Sequence, residues 1–296
     1  MKKYIKLIRP KHYLKNILIF LPLLFSGKLL EFEQLKLTVI AFISFSFMAS
    51  VVYIINDIRD KEKDKLHIKK KLRPIASGDV SVTKAVILAL MLFVASISIS
   101  LINFPDVTIY SYMACLILYL LLNVGYSFGL KNVPLMDVTI LVSGFFLRVF
   151  YGALVINVNI SNWLYLTVIA ISFYMSLGKR RNEIIKQGTN SREVLKYYNL
   201  SFLDKNMYMC LAITIVFYSL WCVDPTTVLK TGQAIIWTVP LVILICMKYS
   251  MNIEGNSLGD PIDVIFADKV LMTLVLIYGI IIVLLLYLPK LSGILL

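Results

Sequence analysis

Long apolar stretches, separated by short polar loops, occupy most of this 296-residue chain. Nine of them approach membrane-spanning length: residues 14–30, 37–55, 84–103, 107–124, 134–155, 162–178, 207–223, 233–248 and 270–289. An α-helix rises about 1.5 Å per residue, so about 20 apolar residues cross a hydrocarbon core of about 30 Å. The pattern predicts an all-α, polytopic membrane protein with nine transmembrane helices. Met1 to Lys15 is basic and partly amphipathic. It carries too much charge before too long an apolar run, with no small-residue cleavage site, to read as a removable signal peptide.

Composition agrees with the pattern. Hydrophobic residues make up 59% of the chain and charged residues 16%, with a mean hydropathy of +0.82. A soluble domain of this size has no interior large enough to hide that. Charge adds orientation. If nine spans alternate, 25 of the 30 Lys and Arg fall on the side of the N-terminus, 4 fall on the other, and Arg148 lies within a span. The positive-inside rule then puts the N-terminus and the long basic loops in the cytoplasm. The net charge of +13 is therefore gathered on one face, where anionic headgroups account for part of it. No soluble module is left over for nucleic acid. Cys115, Cys210, Cys222 and Cys246 lie in apolar stretches without CxxC spacing and read as packing thiols. His12 and His67 are too few and too far apart for a metal site.

The chemistry concentrates where the second apolar run ends, at Asn56-Asp57-Ile58-Arg59-Asp60-Lys61-Glu62-Lys63-Asp64. Carboxylates are rare at the mouth of a membrane helix unless they have a task. If the helix continues, positions 56, 60 and 64 share one face, with Asp57 in the same arc. Hard oxygen donors on one face suit Mg²⁺, which keeps several waters and bridges to phosphates. Lys61, Glu62 and Lys63 fall off the arc and suit an ordinary solvated helix end.

The loop continues His67-Ile68-Lys69-Lys70-Lys71-Leu72-Arg73-Pro74-Ile75-Ala76-Ser77-Gly78. Lys69 and Lys70 fit the topology signal. Arg73, at a helix break before Pro74, can aim its planar fork at an anion. Asp137 and Arg148 are three turns apart on one face of the fifth run. An arginine inside a membrane helix needs either a partner on another helix or a wet ligand cavity. After the sixth run, Gly178-Lys179-Arg180-Arg181-Asn182-Glu183 is basic, which a helix C-terminus also favours. The last loop contains Gly259-Asp260-Pro261-Ile262-Asp263 and Asp268, a turn whose acidity breaks the basic trend.

Together these residues resemble the UbiA-type intramembrane prenyltransferases. The resemblance rests on Asn56-Asp57-x-x-Asp60-x-x-x-Asp64, Arg73-Pro74-Ile75-Ala76-Ser77-Gly78 and Tyr126-Ser127-x-x-x-Lys131, and it covers nearly the whole chain. It implies one domain over 1–296, a helical bundle around a central cavity, and a diphosphate bound through Mg²⁺. Most members carry a second Asp-rich motif after the sixth span. Here that position is basic, which suggests one Mg²⁺-bound diphosphate and a second, metal-free anion held by Lys and Arg.

The branch most similar transfers phosphoribosyl to decaprenyl phosphate. Arg9-Pro10-Lys11-His12-Tyr13-Leu14-Lys15-Asn16, Gly178-Lys179-Arg180 and Gly259-Asp260-Pro261-Ile262-Asp263 add to that likeness. The implied reaction joins 5-phosphoribosyl 1-diphosphate to a polyprenyl phosphate lipid and releases diphosphate, for cell-envelope glycan precursors. It implies Asn56, Asp57, Asp60 and Asp64 as Mg²⁺ ligands, and Asp57, Asp60 and Lys179 as catalytic. Substrate binding falls to Lys15, Asn16, Tyr53, Arg73, Tyr126, Lys131, Asp137, Arg148, Lys179 and Arg180. The protein is expected in the cell membrane with its site facing the cytoplasm, and a homo-oligomer is compatible with the chain. The rival readings are a prenyltransferase using a polyprenyl diphosphate on an aromatic or similar acceptor, and, more remotely, an anion transporter. Inverted repeats with helices broken at mid-membrane would mark the transporter.

Overall fold

A computed structural model of the chain describes residues 2–66, 70–104, 109–255 and 261–291. Over those residues it is all-helical. In chain order the α-helices are α1 (Lys2–Ile8), α2 (Leu21–Phe25), α3 (Phe32–Arg59), α4 (Lys61–Leu66), α5 (Val82–Asn103), α6 (Ile109–Phe128) and α7 (Met136–Val155). They continue as α8 (Asn162–Gln187), α9 (Leu200–Val223), α10 (Pro225–Thr231), α11 (Val239–Glu254), α12 (Pro261–Ala267) and α13 (Lys269–Leu291). Local sequence explains several starts. Ser81 caps α5, Asn199 caps α9 by accepting the Phe202 N–H at 2.7 Å, and Asp224 caps α10 ahead of Pro225.

Seven helices among the described residues are long and apolar enough to cross a membrane: α3, α5, α6, α7, α9, α11 with the turn before it, and α13. Nine spans were expected, and two of the nine runs differ. The run 14–30 is no single α-helix. It is wound as a 3₁₀ helix over Pro10–Phe20, passes into the short α2, and stops at Gly27 in a left-handed turn (φ 75°). The run 162–178 lies in α8, which is 26 residues long. Its Asn, Tyr, Thr and Ser side chains, and the charged turns that follow, lower its hydropathy below that of its neighbours.

The chain divides into two compact units. The first comprises Met1–Leu23, Lys28–Lys131 and Leu147–Val158, and the second Leu24–Gly27, Asn132–Phe146 and Asn159–Leu296. Helix α7 thus gives its first half to the second unit and its remainder to the first.

In the first unit α3 is the inner helix. Buried positions fill 61% of its apolar window, against 22% for α5. Val86, Ile87, Leu90, Met91 and Val94 of α5 are exposed, as expected where lipid rather than protein is the apolar neighbour. Small hydroxyls let α3 and α5 approach closely. Ser44 Oγ lies 2.8 Å from Ser100 Oγ, and Ser96 Oγ donates to the Ser44 carbonyl at 2.8 Å. In a 3₁₀ helix residues three apart eclipse, so Tyr13 and Asn16 face α3 together. They meet Ser50 (2.7 Å) and Ser46 (2.8 Å), one α-helical turn apart. The next residue in that row, Ile19, brings its carbonyl oxygen to 2.2 Å from where a Cβ on Gly152 would stand. Leu7, Val51, Ile54, Ile75, Val80, Ala85, Ala89 and Leu92 pack beneath the acidic stretch. In the second unit α8 and α9 pair over a core that includes Val138, Tyr174, Leu177, Val194, Leu195, Leu203, Met207 and Ile253.

Candidate active site

Helix α3 ends at Arg59, with Asp60 as its C-cap (φ −91°, ψ 7°), and α4 begins one residue later. The break does not disturb the spacing. The Asp60 N–H donates to the Asn56 carbonyl at 2.9 Å, and the Asp64 N–H to the Asp60 carbonyl at 2.8 Å. Asp57 and Asp64 are buried, whereas Glu62 is exposed and pairs with Lys65 at 2.9 Å.

Each carboxylate of this stretch meets a cation. Arg9 Nη2 donates to Asp57 Oδ1 at 2.5 Å, and Arg73 Nη1 reaches the same oxygen at 3.1 Å. Arg73 also holds Asp64 Oδ2 at 2.6 Å. Lys131 Nζ bridges both oxygens of Asp60 at 2.9 and 3.0 Å. Ser127 Oγ donates to Asn56 Oδ1 at 3.2 Å. The cations keep an open side, with side-chain exposures of 18% for Arg9, 24% for Arg73 and 20% for Lys131. Oδ2 of Asp57 is buried and has no hydrogen-bond partner. Among the described residues no three His, Cys, Asp or Glu stand together as a ready metal cage. The donor set still fits Mg²⁺: hard oxygens at helical spacing, one of them unsatisfied.

Deeper in the same unit Arg148 is buried. Its Nε donates to Asn16 Oδ1 at 2.7 Å and its Nη2 to the Tyr119 hydroxyl at 3.2 Å. The guanidinium lies 5.1 Å from the ring centroids of both Phe45 and Tyr119. Aromatic faces and an amide are thus among the groups that hold this charge inside the unit. Lys15, Tyr53 and Tyr126 are half-buried, and Tyr53 lies under the Arg9 guanidinium at 5.4 Å.

The second unit gathers Asp137, Arg180, Glu183, Arg192 and Tyr198. Asp137 Oδ2 accepts from Arg180 Nε at 2.6 Å, and Oδ1 from the Tyr198 hydroxyl at 2.6 Å. Arg180 Nη1 donates to Glu183 Oε2 at 2.8 Å, and Arg192 reaches the same oxygen at 3.3 Å. The Tyr198 oxygen in turn accepts the N–H of Leu135, a left-handed residue (φ 66°). Burial first, and then the bond to Asp137, pushes the Tyr198 phenol upward, so it stays a donor. Arg180 and Asp137 are fully buried. Both were expected to bind substrate. Arg180 pairs with two carboxylates, and Asp137 has a donor on each oxygen. Asp137 joins the cluster of the second unit and Arg148 that of the first. Lys179, next to Arg180, is half-buried.

Of the acidic last loop, Gly259 and Asp260 lie outside the described residues, as do His67 and Lys69. Asp268 caps α13 through the Leu271 N–H at 2.8 Å and pairs with Lys248 at 2.9 Å. Those contacts, the backbone bond foremost, hold its carboxyl below the usual range.

Sequence reasoning passed over Arg9, Ser127 and Tyr119 as site residues. For Arg9 a signal existed. Arg9-Pro10 repeats Arg73-Pro74, and the two Arg-Pro pairs converge on one oxygen of Asp57.

Comparison with known proteins gives the family and the fold. The profile of the UbiA prenyltransferase family matches residues 19–261. The decaprenyl-phosphate phosphoribosyltransferase of Corynebacterium glutamicum is 33% identical, over 96% of this chain and 86% of its own. That of Mycobacterium tuberculosis is 29% identical, over 92% and 90%. Among solved structures, a UbiA homolog from Archaeoglobus fulgidus bound to GPP and Mg²⁺ superposes with a TM-score of 0.68 at 17% identity, covering 95% of this chain and 99% of that one.

Proposed function

The chain belongs to the UbiA prenyltransferase family, and from that premise we propose that it transfers 5-phosphoribosyl from 5-phosphoribosyl 1-diphosphate to a polyprenyl phosphate. The observation that carries the reading is the cation-rimmed acidic stretch of the first unit. Three carboxylates lie beneath Arg9, Arg73 and Lys131. Such a site can take a diphosphate, with its metal, against carboxylates and cations together. Asn56, Asp57, Asp60 and Asp64 would hold Mg²⁺, which when bound neutralises charge on the leaving diphosphate.

The lipid phosphate oxygen forms a bond to the anomeric carbon as the bond to diphosphate breaks. The product is polyprenyl-phosphoryl phosphoribose. A phosphate monoester is already anionic, so no side chain need take a proton. Lys131 and Arg73 would steady phosphate oxygens at the rim. Lys179 would hold a second, metal-free phosphate. In the second unit Asp137 and Glu183 are committed to Arg180 and Arg192, which favours a metal-free anion there over a second metal cluster. The closest reading in chemistry, prenyl transfer from a polyprenyl diphosphate, would gain from free carboxylates at that position. We further propose that both units form one catalytic domain in the cell membrane, with the acidic stretch facing the cytoplasm; homo-oligomerisation is compatible with it.

The test uses membranes carrying the chain, Mg²⁺, a polyprenyl phosphate and 5-phosphoribosyl 1-diphosphate labelled in the ribose. Label should enter the organic phase. Absence of labelled lipid, together with prenyl transfer from a polyprenyl diphosphate to an aromatic acceptor, would overturn the reading.

A further inference from the structure

The acidic stretch carries an asymmetry that substrate binding alone does not explain. Two arginines crowd Oδ1 of Asp57, while Oδ2, equally buried, has no partner. The arginines are not equivalent. Arg73 also holds Asp64 and keeps a carboxylate if it leaves Asp57. Among the described residues Arg9 holds Asp57 alone, and its other neighbour is the face of Tyr53, 5.4 Å away.

The backbone at Arg9 is unusual as well. It is the joint between α1 and the 3₁₀ helix, with its N–H bonded to the Ile5 carbonyl and its carbonyl to the His12 N–H. It sits at φ 57°, ψ 59°. A non-glycine residue rarely adopts that left-handed form, and a following proline disfavours it further. Strain of this kind persists where the surroundings enforce it, and it collects at clamps and switches.

Charge completes the argument. Arg9, Arg73 and Lys131 balance Asp57, Asp60 and Asp64 one for one, so that set is near neutral without a metal. A divalent cation joining that set leaves an excess of positive charge, which an incoming phosphate can take up through the freed guanidinium.

We propose that Arg9 is a competing cation: in the substrate-free chain it holds Asp57 against a divalent cation, and it releases the carboxylate when a phosphate group arrives to take its guanidinium. The proposal rests on reading residues 56–64 as the divalent-cation site. It makes metal and anion binding mutually reinforcing, because any factor by which one raises the affinity of the other must be reciprocal. It also keeps the free enzyme from holding a divalent cation tightly before its phosphate substrate is present. Arg9 acts here as a positioning residue, through Asp57.

The experiment reads metal binding, not turnover. The full chain in nanodiscs is titrated with Mn²⁺ alone, without substrates, and free Mn²⁺ is followed by electron paramagnetic resonance. Arg9→Gln and Arg9→Gly should each bind Mn²⁺ about tenfold more tightly than wild type, because a charge-assisted competitor is gone. Arg9→Lys, which keeps the charge but not the fork, should fall between. Glycine adopts the left-handed backbone freely, so Arg9→Gly keeps the test open if another variant misfolds. Unchanged or weaker Mn²⁺ binding in the folded variants would overturn the proposal. Since no sugar or lipid substrate is present, this outcome and that of the label-transfer assay are independent.

Discussion

Each unit contains arginines set against carboxylates, and the two sets are completed differently. In the second unit Asp137 has a donor on each oxygen, Glu183 has two arginines, and Arg180 is enclosed. In the first unit Asp57 has two donors on one oxygen and none on the other, and its cations keep an open side. Buried charge is tolerated when it is paired and hydrogen-bonded, and costly when it is not. A closed set therefore holds helices together. An unfinished one is poised to receive something. The comparison separates residues that look alike in the sequence: Arg73 and Arg180 both follow or lie in basic runs, yet Arg73 is partly exposed and Arg180 is enclosed.

Five substitutions can break or sharpen that contrast. The largest expected effect is on turnover. Asp57→Asn or Asp60→Asn should lower transfer on the order of a thousandfold, as loss of a metal ligand removes several kcal/mol of transition-state stabilisation. Gel filtration should still show a folded protein, and EDTA should reproduce the loss in wild type. Full activity of Asp60→Asn in excess EDTA would dissolve the contrast.

Arg180→Ala should instead unfold. Breaking a buried pair leaves Asp137 and Glu183 short of a partner at a cost of about 3–5 kcal/mol, read as a lower thermal midpoint in detergent. If Arg180→Ala keeps the wild-type midpoint and only raises KM, the second cluster is a ligand site after all.

Lys179→Ala comes next. Loss of one charge-assisted contact, about 1.5–3 kcal/mol, should raise the apparent KM of one phosphate-bearing substrate with little change in midpoint. Steady-state kinetics on each substrate in turn decides it.

The smallest effect belongs to Glu62→Gln. Its carboxyl is held below its usual range by the hydrogen bond to exposed Lys65, and surface pairs of this kind contribute little. Activity and midpoint should match wild type. A marked loss would mean that acidity along residues 56–64 matters as such, rather than the face formed by Asn56, Asp60 and Asp64.

Much of the helical layout was legible because hydropathy reports burial in lipid directly. The runs 84–103, 107–124 and 134–155 sit within a few residues of α5, α6 and α7. Helix α3 starts at Phe32 rather than residue 37 because Glu33, Gln34 and Lys36 are good helix formers that hydropathy does not count. The first run misled for the opposite reason. It is apolar, but Pro22 and Gly27 punctuate it, and hydropathy carries no information about such breaks. The four-residue spacing of the acidic stretch was legible because it is local. Its cations were harder to assign: Lys131 lies 71 positions from Asp60, and Arg9 lies 48 from Asp57. The pair Asp137–Arg180, 43 positions apart, left no local trace at all. Periodicity describes one helix at a time, so it places Arg180 in the basic run after the sixth apolar stretch but does not show which carboxylate awaits it.

Gly152 carries a consequence of its own. With the Ile19 carbonyl oxygen 2.2 Å from the place of a missing Cβ, the backbone of the N-terminal 3₁₀ segment is keyed directly into α7. One methyl group, the smallest change the genetic code allows at that position, would act as a wedge. It would push on the row that carries Ile19, Asn16 and Tyr13, and through Asn16 on the hydrogen bond that holds Arg148. A tolerance map of the chain should therefore show an intolerant point at residue 152, one helical turn from the Arg148 whose alignment it guards.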